Sequence, residues 1–130
     1  MKFLINLFIL FYSSILSASD NWIEFGVTNN DGIQTTMYVD FEQVDKINNY
    51  LHSVTLFDFI PKISGEIGSL KFLKKYDCEE YKAKTLRIIY YNGQMGEGGV
   101  YGDDSNNEKW EYLMPASNEY ELLKILCSNF

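Results

Sequence analysis

The sequence predicts an α+β domain in which an antiparallel β-sheet meander carries one C-terminal α-helix and is closed by a single disulfide, Cys78–Cys127. Three observations predict it. β-rich segments follow one another through the middle of the chain with only short turn-forming stretches between them, which makes sequential strands antiparallel neighbours. After Pro115 the hydrophobic period lengthens from that of a strand to that of a helix. The chain has just two cysteines, and if its leader exports it, they are the natural partners for one disulfide in an oxidising compartment.

Lys2 gives the leader a positive start, and Phe3 to Tyr12 gives it an apolar core that passes into Ser13-Ser14-Ile15-Leu16-Ser17-Ala18-Ser19. This is the pattern of a secretory signal peptide. The apolar run is shorter than the roughly 20 residues that a membrane-spanning helix needs. Small residues at Ser17 and Ser19 suit a cleavage pocket, so the expected cut lies between Ser19 and Asp20, with a cut after Ala18 as the alternative. Residues 1–19 are therefore read as a signal peptide and 20–130 as the domain. Leu16-Ser17-Ala18 is followed by Ser19, where a lipoprotein signal would place cysteine, so no lipid anchor is expected.

Strand expectations follow in chain order. Trp22 to Val27 and Ile33 to Asp40 form a hairpin across Asn29-Asn30-Asp31-Gly32, with Ile33, Thr35, Met37 and Val39 on one face. Tyr50 to Ile60 is a strand stopped by Pro61, and Leu70 to Asp77 is another that ends beside Cys78. Lys84 to Tyr91 is a further strand, with strong β-branched and aromatic content. Gly93, Gly96, Gly98 and Gly99 make a loop or kinked strand entry before Val100-Tyr101, and Lys109 to Leu113 closes the sheet. In the final segment Ser117 or Asn118 caps a helix, with Glu121 in capping-box position relative to Asn118. Tyr120, Leu123 and Cys127 share a face that Leu122, Ile125 and Leu126 widen, so this helix is expected to lie on the sheet.

Aromatic residues make up 16% of the chain, with 10 Tyr and 9 Phe, which suits a small core reinforced by a cross-link. The formal charge of −7 argues against nucleic acid and anionic membranes as partners, since both call for a basic patch. Lys71, Lys74, Lys75, Lys82 and Lys84 are the local exception, read as a solvated strand face or a guard on a sheet edge.

Motifs for catalysis and metal binding are weak. His52 is the sole histidine, and without a second ligand at fixed spacing it is an ordinary strand residue, haem ligation being the alternative. The cysteines lack a Cys-x-x-Cys spacing. The glycine loop matches neither a dinucleotide fingerprint nor a Walker loop, so positive φ at a backbone kink accounts for it, and Gly93, Met95, Gly96, Gly98 and Gly99 are kept as a candidate binding loop. Asp103 to Glu108 has a calcium-loop cadence, but Glu108 stands where glycine is needed. Asp77, Glu79 and Glu80 lie among lysines as a charge-balanced surface. With no nucleophile elbow and one histidine, a hydrolytic triad has no support, and the chain is read as non-enzymatic and without a cofactor.

The order of landmarks is more specific than any one of them. Tyr76-Asp77-Cys78, Leu86-Arg87 to Tyr91, the loop Gly93-Gln94-Met95-Gly96-Glu97-Gly98-Gly99-Val100, Trp110, Met114-Pro115-Ala116-Ser117 and Glu121 to Cys127, with Trp22 and Tyr38-Val39-Asp40 upstream, resemble the surface-adhesin protein E family of exported bacterial proteins. The resemblance implies an antiparallel sheet with a disulfide-held C-terminal helix. It further implies a binding role toward host matrix and plasma proteins such as vitronectin and laminin, with haem binding also attributed to members. The expectation is an exported binding protein, periplasmic or at the cell surface, whose partner is a host protein or an envelope component. The alternative is a soluble periplasmic accessory domain, and exposed strand edges leave homodimerisation open.

Overall fold

The computed structural model describes residues 21–105 and 109–130; the leader, the Ser19–Asp20 junction and residues 106–108 lie outside the described residues. Eight strands form one antiparallel sheet: β1 (Ile23–Asn30), β2 (Ile33–Val39), β3 (Asp45–Ile47), β4 (Tyr50–Ile63), β5 (Ile67–Asp77), β6 (Lys82–Tyr91), β7 (Val100–Asp104) and β8 (Trp110–Tyr112). One helix, α1 (Asn118–Asn129), follows them. The main order is β1-β2-β4-β5-β6-β7, as a meander requires. Both outer partnerships are shared: β2 pairs with the second half of β4 and β3 with its start, while β7 pairs with the end of β6 and β8 with its start.

Turn chemistry sets these registers. Asp31 and Gly32 both take positive φ, 51° and 78°, between β1 and β2. Asn48 and Asn49 do the same between β3 and β4. Such left-handed pairs match the right-handed twist of flanking strands, and Asn, Asp and Gly adopt them at least cost. The β3–β4 hairpin was not foreseen, because Asp45-Lys46-Ile47 is too short and too polar to show a period of its own.

Pro61 does not stop β4, which continues to Ile63. The register between β4 and β5 breaks between Asp58 and Ile63, so an exposed proline without an N–H sits where the ladder is already interrupted. The lysine-bearing strand β5 is central rather than an edge, flanked by β4 and β6 along most of its length. The idea of an edge guard is therefore set aside, since the backbone there has no open ladder to protect.

The main core lies between one face of the sheet and α1. Leu51, Tyr76 and Ala83 are successive register partners on β4, β5 and β6, and they meet Leu122, Leu123 and Leu126 of the helix. Leu123, Leu126 and Tyr76 are wholly buried. Burying a leucine contributes about 1.5–3 kcal/mol, so three of them hold a 12-residue helix that would be marginal alone. Ser117 is the N-cap, its Oγ accepting from the Tyr120 N–H at 3.1 Å, and Asn118 is the first helical residue instead of the cap. Ile125 stays about half exposed because the helix has only one sheet to lie on and the expected stripe is wider than that contact. Cys78, just past β5, is bonded to Cys127 in the last turns of α1, with Cα atoms 5.8 Å apart. Lys74 adds an ion pair to Glu119 at 3.3 Å, tying the same strand to the first turn of the helix.

Candidate functional site

Pleating sends alternate residues to opposite faces. The row next to Leu51, Tyr76 and Ala83 therefore points away from the helix, and its register partners are His52 on β4, Lys75 on β5, Lys84 on β6 and Trp110 on β8. This open face is the candidate functional surface. At one end it carries lysines among aromatic rings, in the middle it has a cleft, and at the other end a loop folds over it.

At the lysine end, three ammonium groups surround one indole: Lys84 Nζ lies 4.8 Å from the Trp110 ring centroid, Lys82 Nζ 5.1 Å and Lys75 Nζ 5.9 Å. Lys75 also lies 4.5 Å from the Tyr50 centroid, and the Tyr50 and Trp110 rings are 5.5 Å apart. Farther along the face Lys71 sits between Trp22, at 6.0 Å, and Tyr91, at 5.6 Å. These distances fall within cation–π range, in which the negative face of each ring holds a cation. The lysines of the sequence thus split by strand parity. Lys74 turns to the helix and donates to Thr85 Oγ1 at 2.9 Å, whereas Lys71 and Lys75 belong to the open face.

Next to this cluster is a cleft of about 360 Å³ whose walls include His52, Val54, Leu73 and Leu86, with Asp45 and Ile47 at its β3 side. His52 is held below the usual histidine pKa, first because it is partly desolvated and then because Lys75 is beside it, with Asp45 opposing. Among the described residues no group of three His, Cys, Asp or Glu side chains is placed to hold a metal ion.

The glycine segment covers the far end. Asn92 N donates to Gly99 O at 2.9 Å and Gly93 N to Glu97 O at 3.0 Å, which closes a compact loop. That loop is fastened to the sheet by side chains from beneath it and by one of its own, Gln94. Ser69 Oγ, wholly buried, donates to Gly93 O and accepts from Gly96 N, both at 2.8 Å. Asp58 Oδ1 accepts from Met95 N at 2.7 Å. Gln94 Nε2 donates to Phe59 O at 2.5 Å. Burial raises the Asp58 carboxyl above its ordinary pKa, opposed by the Met95 N–H. A β-carbon on Gly68 would stand 2.5 Å from Gly93 O, so the loop needs glycine in β5 to come this close. Met95, at φ 56°, and Gly96, at φ 71°, make the bend, and Gly96 lies over Leu56.

The candidate residues are thus distributed unequally. Gly93, Met95 and Gly96 are partly buried and hydrogen-bonded to the sheet, while Gly98 and Gly99 are exposed at the outer side of the loop. Cys78 and Cys127 lie on the opposite side, at the end of the helix. Asp77, placed by sequence in a solvated acidic group, is instead largely buried, its Oδ1 accepting from the N–H groups of Glu79 and Glu80 to shape the turn before β6. Asp103 engages Arg87 through two contacts, Nε at 2.9 Å and Nη2 at 2.5 Å, and residues 106–108 of the same segment lie outside the described residues. Sequence reasoning missed the Trp110 cluster. Its signal was the spacing of Lys82 and Lys84 about Ala83, which marks one face of a strand, but nothing local says that β8 returns to that face.

Solved structures share this architecture. The chain is similar to protein E of Haemophilus influenzae in one crystal form with a TM-score of 0.62 and 19% identity, over 72% of this chain and 81% of that one. A second structure of the same H. influenzae protein gives 0.61 and 18%, over 82% and 85%. A third, from a non-typeable strain, gives 0.57 and 17%, over 85% and 86%. No curated protein sequence matches the chain. The family model for surface-adhesin protein E matches residues 22–128, nearly all of the described domain, and the chain belongs to that family.

Proposed function

We propose that this chain is an exported, non-enzymatic adhesin-like protein that binds a host matrix or plasma protein through its open sheet face. The observation that carries the reading is the composition of that face. In a chain of net charge −7 it gathers Lys71, Lys75, Lys82 and Lys84 against Trp22, Tyr50, Tyr91 and Trp110. Tryptophan and tyrosine are enriched among the residues that carry binding energy at protein recognition surfaces, and a surface held in place before contact loses less entropy on binding. Membership of a surface-adhesin family points the same way. No cofactor takes part in this activity.

The test is saturable binding of the oxidised protein to immobilised vitronectin and laminin, with reduced protein as the control. Binding that requires the oxidised fold is expected, together with cleavage of the protein when intact producing cells are treated with protease. No binding at tens of micromolar, with full protection in intact cells, would move the function to a periplasmic accessory role.

A further inference from the structure

We propose that the row Lys75, Lys84 and Trp110 binds a polyanionic glycan, a chain of sulfated or carboxylated sugars. This rests on the reading of the open sheet face as the contact surface, and it names the chemistry of what that face contacts. Lys75 and Lys84 are direct register partners on β5 and β6. Like charges directly opposite one another in an antiparallel pair repel. Among the described residues neither has a carboxylate within 4 Å, whereas Lys74, Lys82 and Lys124 each have one. Trp110 and Tyr50 hold the two ammonium groups in place without neutralising them. The repulsion is thus maintained in the free protein, and a polyanion laid across the strands relieves it. Local conflicts of this kind belong at functional sites.

Three features favour a glycan over other anions. β5 is flanked by β4 and β6 here, and β6 by β5 and β8, so the strands that carry Lys75 and Lys84 offer no open backbone ladder. An extended acidic peptide that binds by strand addition needs such an edge, and what remains is recognition by side chains alone. Those side chains are ammonium groups together with ring surface, Tyr112 being 69% exposed beside half-buried Trp110, which suits the mixed anionic and apolar faces of sugar rings. The adjoining cleft of about 360 Å³ is lined by His52, Val54, Leu73 and Leu86 and also by the acidic Glu42 and Asp45, so it has room for an uncharged part of the chain while the anionic groups lie over Lys75 and Lys84.

The experiment titrates the full chain, exported with its own leader and oxidised, with a heparin oligosaccharide at about 0.15 M salt. Poly-glutamate and duplex DNA of matched charge are run in parallel. Saturable heparin binding is expected, weakened roughly tenfold by Lys75→Gln with Lys84→Gln, as two exposed ion pairs allow. Lys46→Gln with Lys124→Gln makes the same change of net charge away from this face and should leave binding unchanged. Equal loss in both double variants, or equal affinity for poly-glutamate or DNA, overturns the proposal. A protein that captures laminin but ignores heparin overturns it while leaving protein binding intact, and one that binds neither overturns both.

Discussion

Ser69→Ala tests how the glycine loop is held to the sheet. The hydroxyl is wholly buried and serves two backbone groups at once, donating to Gly93 O and accepting from Gly96 N at 2.8 Å each. Alanine fits the space and leaves both groups buried without a partner. An unsatisfied buried group costs about 1–3 kcal/mol, so the substitution should remove about 2–4 kcal/mol after some relaxation of the loop. The total for a domain of this size is about 5–15 kcal/mol, so the change is a large fraction of it. With urea slopes of about 1–3 kcal/mol per molar, the unfolding midpoint should fall by on the order of 1–2 M. Hydrogen exchange gives a local readout, because the Gly96 amide should lose protection well before the amides of the β5–β6 ladder. A Ser69→Ala protein that unfolds within about 0.5 kcal/mol of wild type, or that keeps the Gly96 amide protected, would refute the account of the loop as a strap pinned by this hydroxyl.

The disulfide closes a loop with a sequence separation of 49, worth about 4 kcal/mol in the chain-entropy model, and Cys78→Ser with Cys127→Ser should lower the melting temperature by roughly 15 °C; coincident melts would dismiss that role. Asp58 has a folded-state pKa above its unfolded value, so the folded protein takes up the proton first on acidification. Wild type should therefore gain stability relative to Asp58→Asn as pH falls through the folded pKa toward 3.8, and a difference that is constant with pH would contradict this. His52 has the opposite sign, with a folded pKa below 6.5, so its contribution is lost as pH falls from about 6.5 through the folded value. An NMR titration should place the His52 midpoint below 6.5 and show it rising in Lys75→Gln; an unmoved midpoint would rule out the electrostatic part. Haemin added to the protein should give no Soret shift, and a shift abolished by His52→Ala would establish a haem site instead.

Much of the fold was legible because its signals are local. Alternation in Ile33 to Val39, the turn residues Asp31-Gly32, the apolar stripe of Leu122, Leu123 and Leu126 and the two cysteines each act within a few residues or leave a single pairing open. Where a reading failed, the deciding contact was distant. Pro61 looked like a terminator because proline removes a donor, and only the register break between β4 and β5 shows that no donor was required. Ile125 looked buried because periodicity gives the direction of an apolar stripe but not the width of the surface that meets it.

The sequence by itself determined the main antiparallel meander, without β3 and without the place of β8, the helix and its position at the end of the chain, and the single available cysteine pairing, since these depend on period, turn chemistry and composition. Tertiary structure alone decided which lysines share a face. Lys74 and Lys75 are neighbours in the chain, yet pleating sends one to Glu119 on the helix and the other to Tyr50 and Trp110 on the open face. It also decided that Gly93–Gly96 is a strap, because Ser69 and Asp58 reach it only once β4, β5 and the loop are stacked. The physical reason is common to both: charge placement and hydrogen-bond satisfaction are set by strand register, which joins residues tens of positions apart and leaves no mark on the residues nearby.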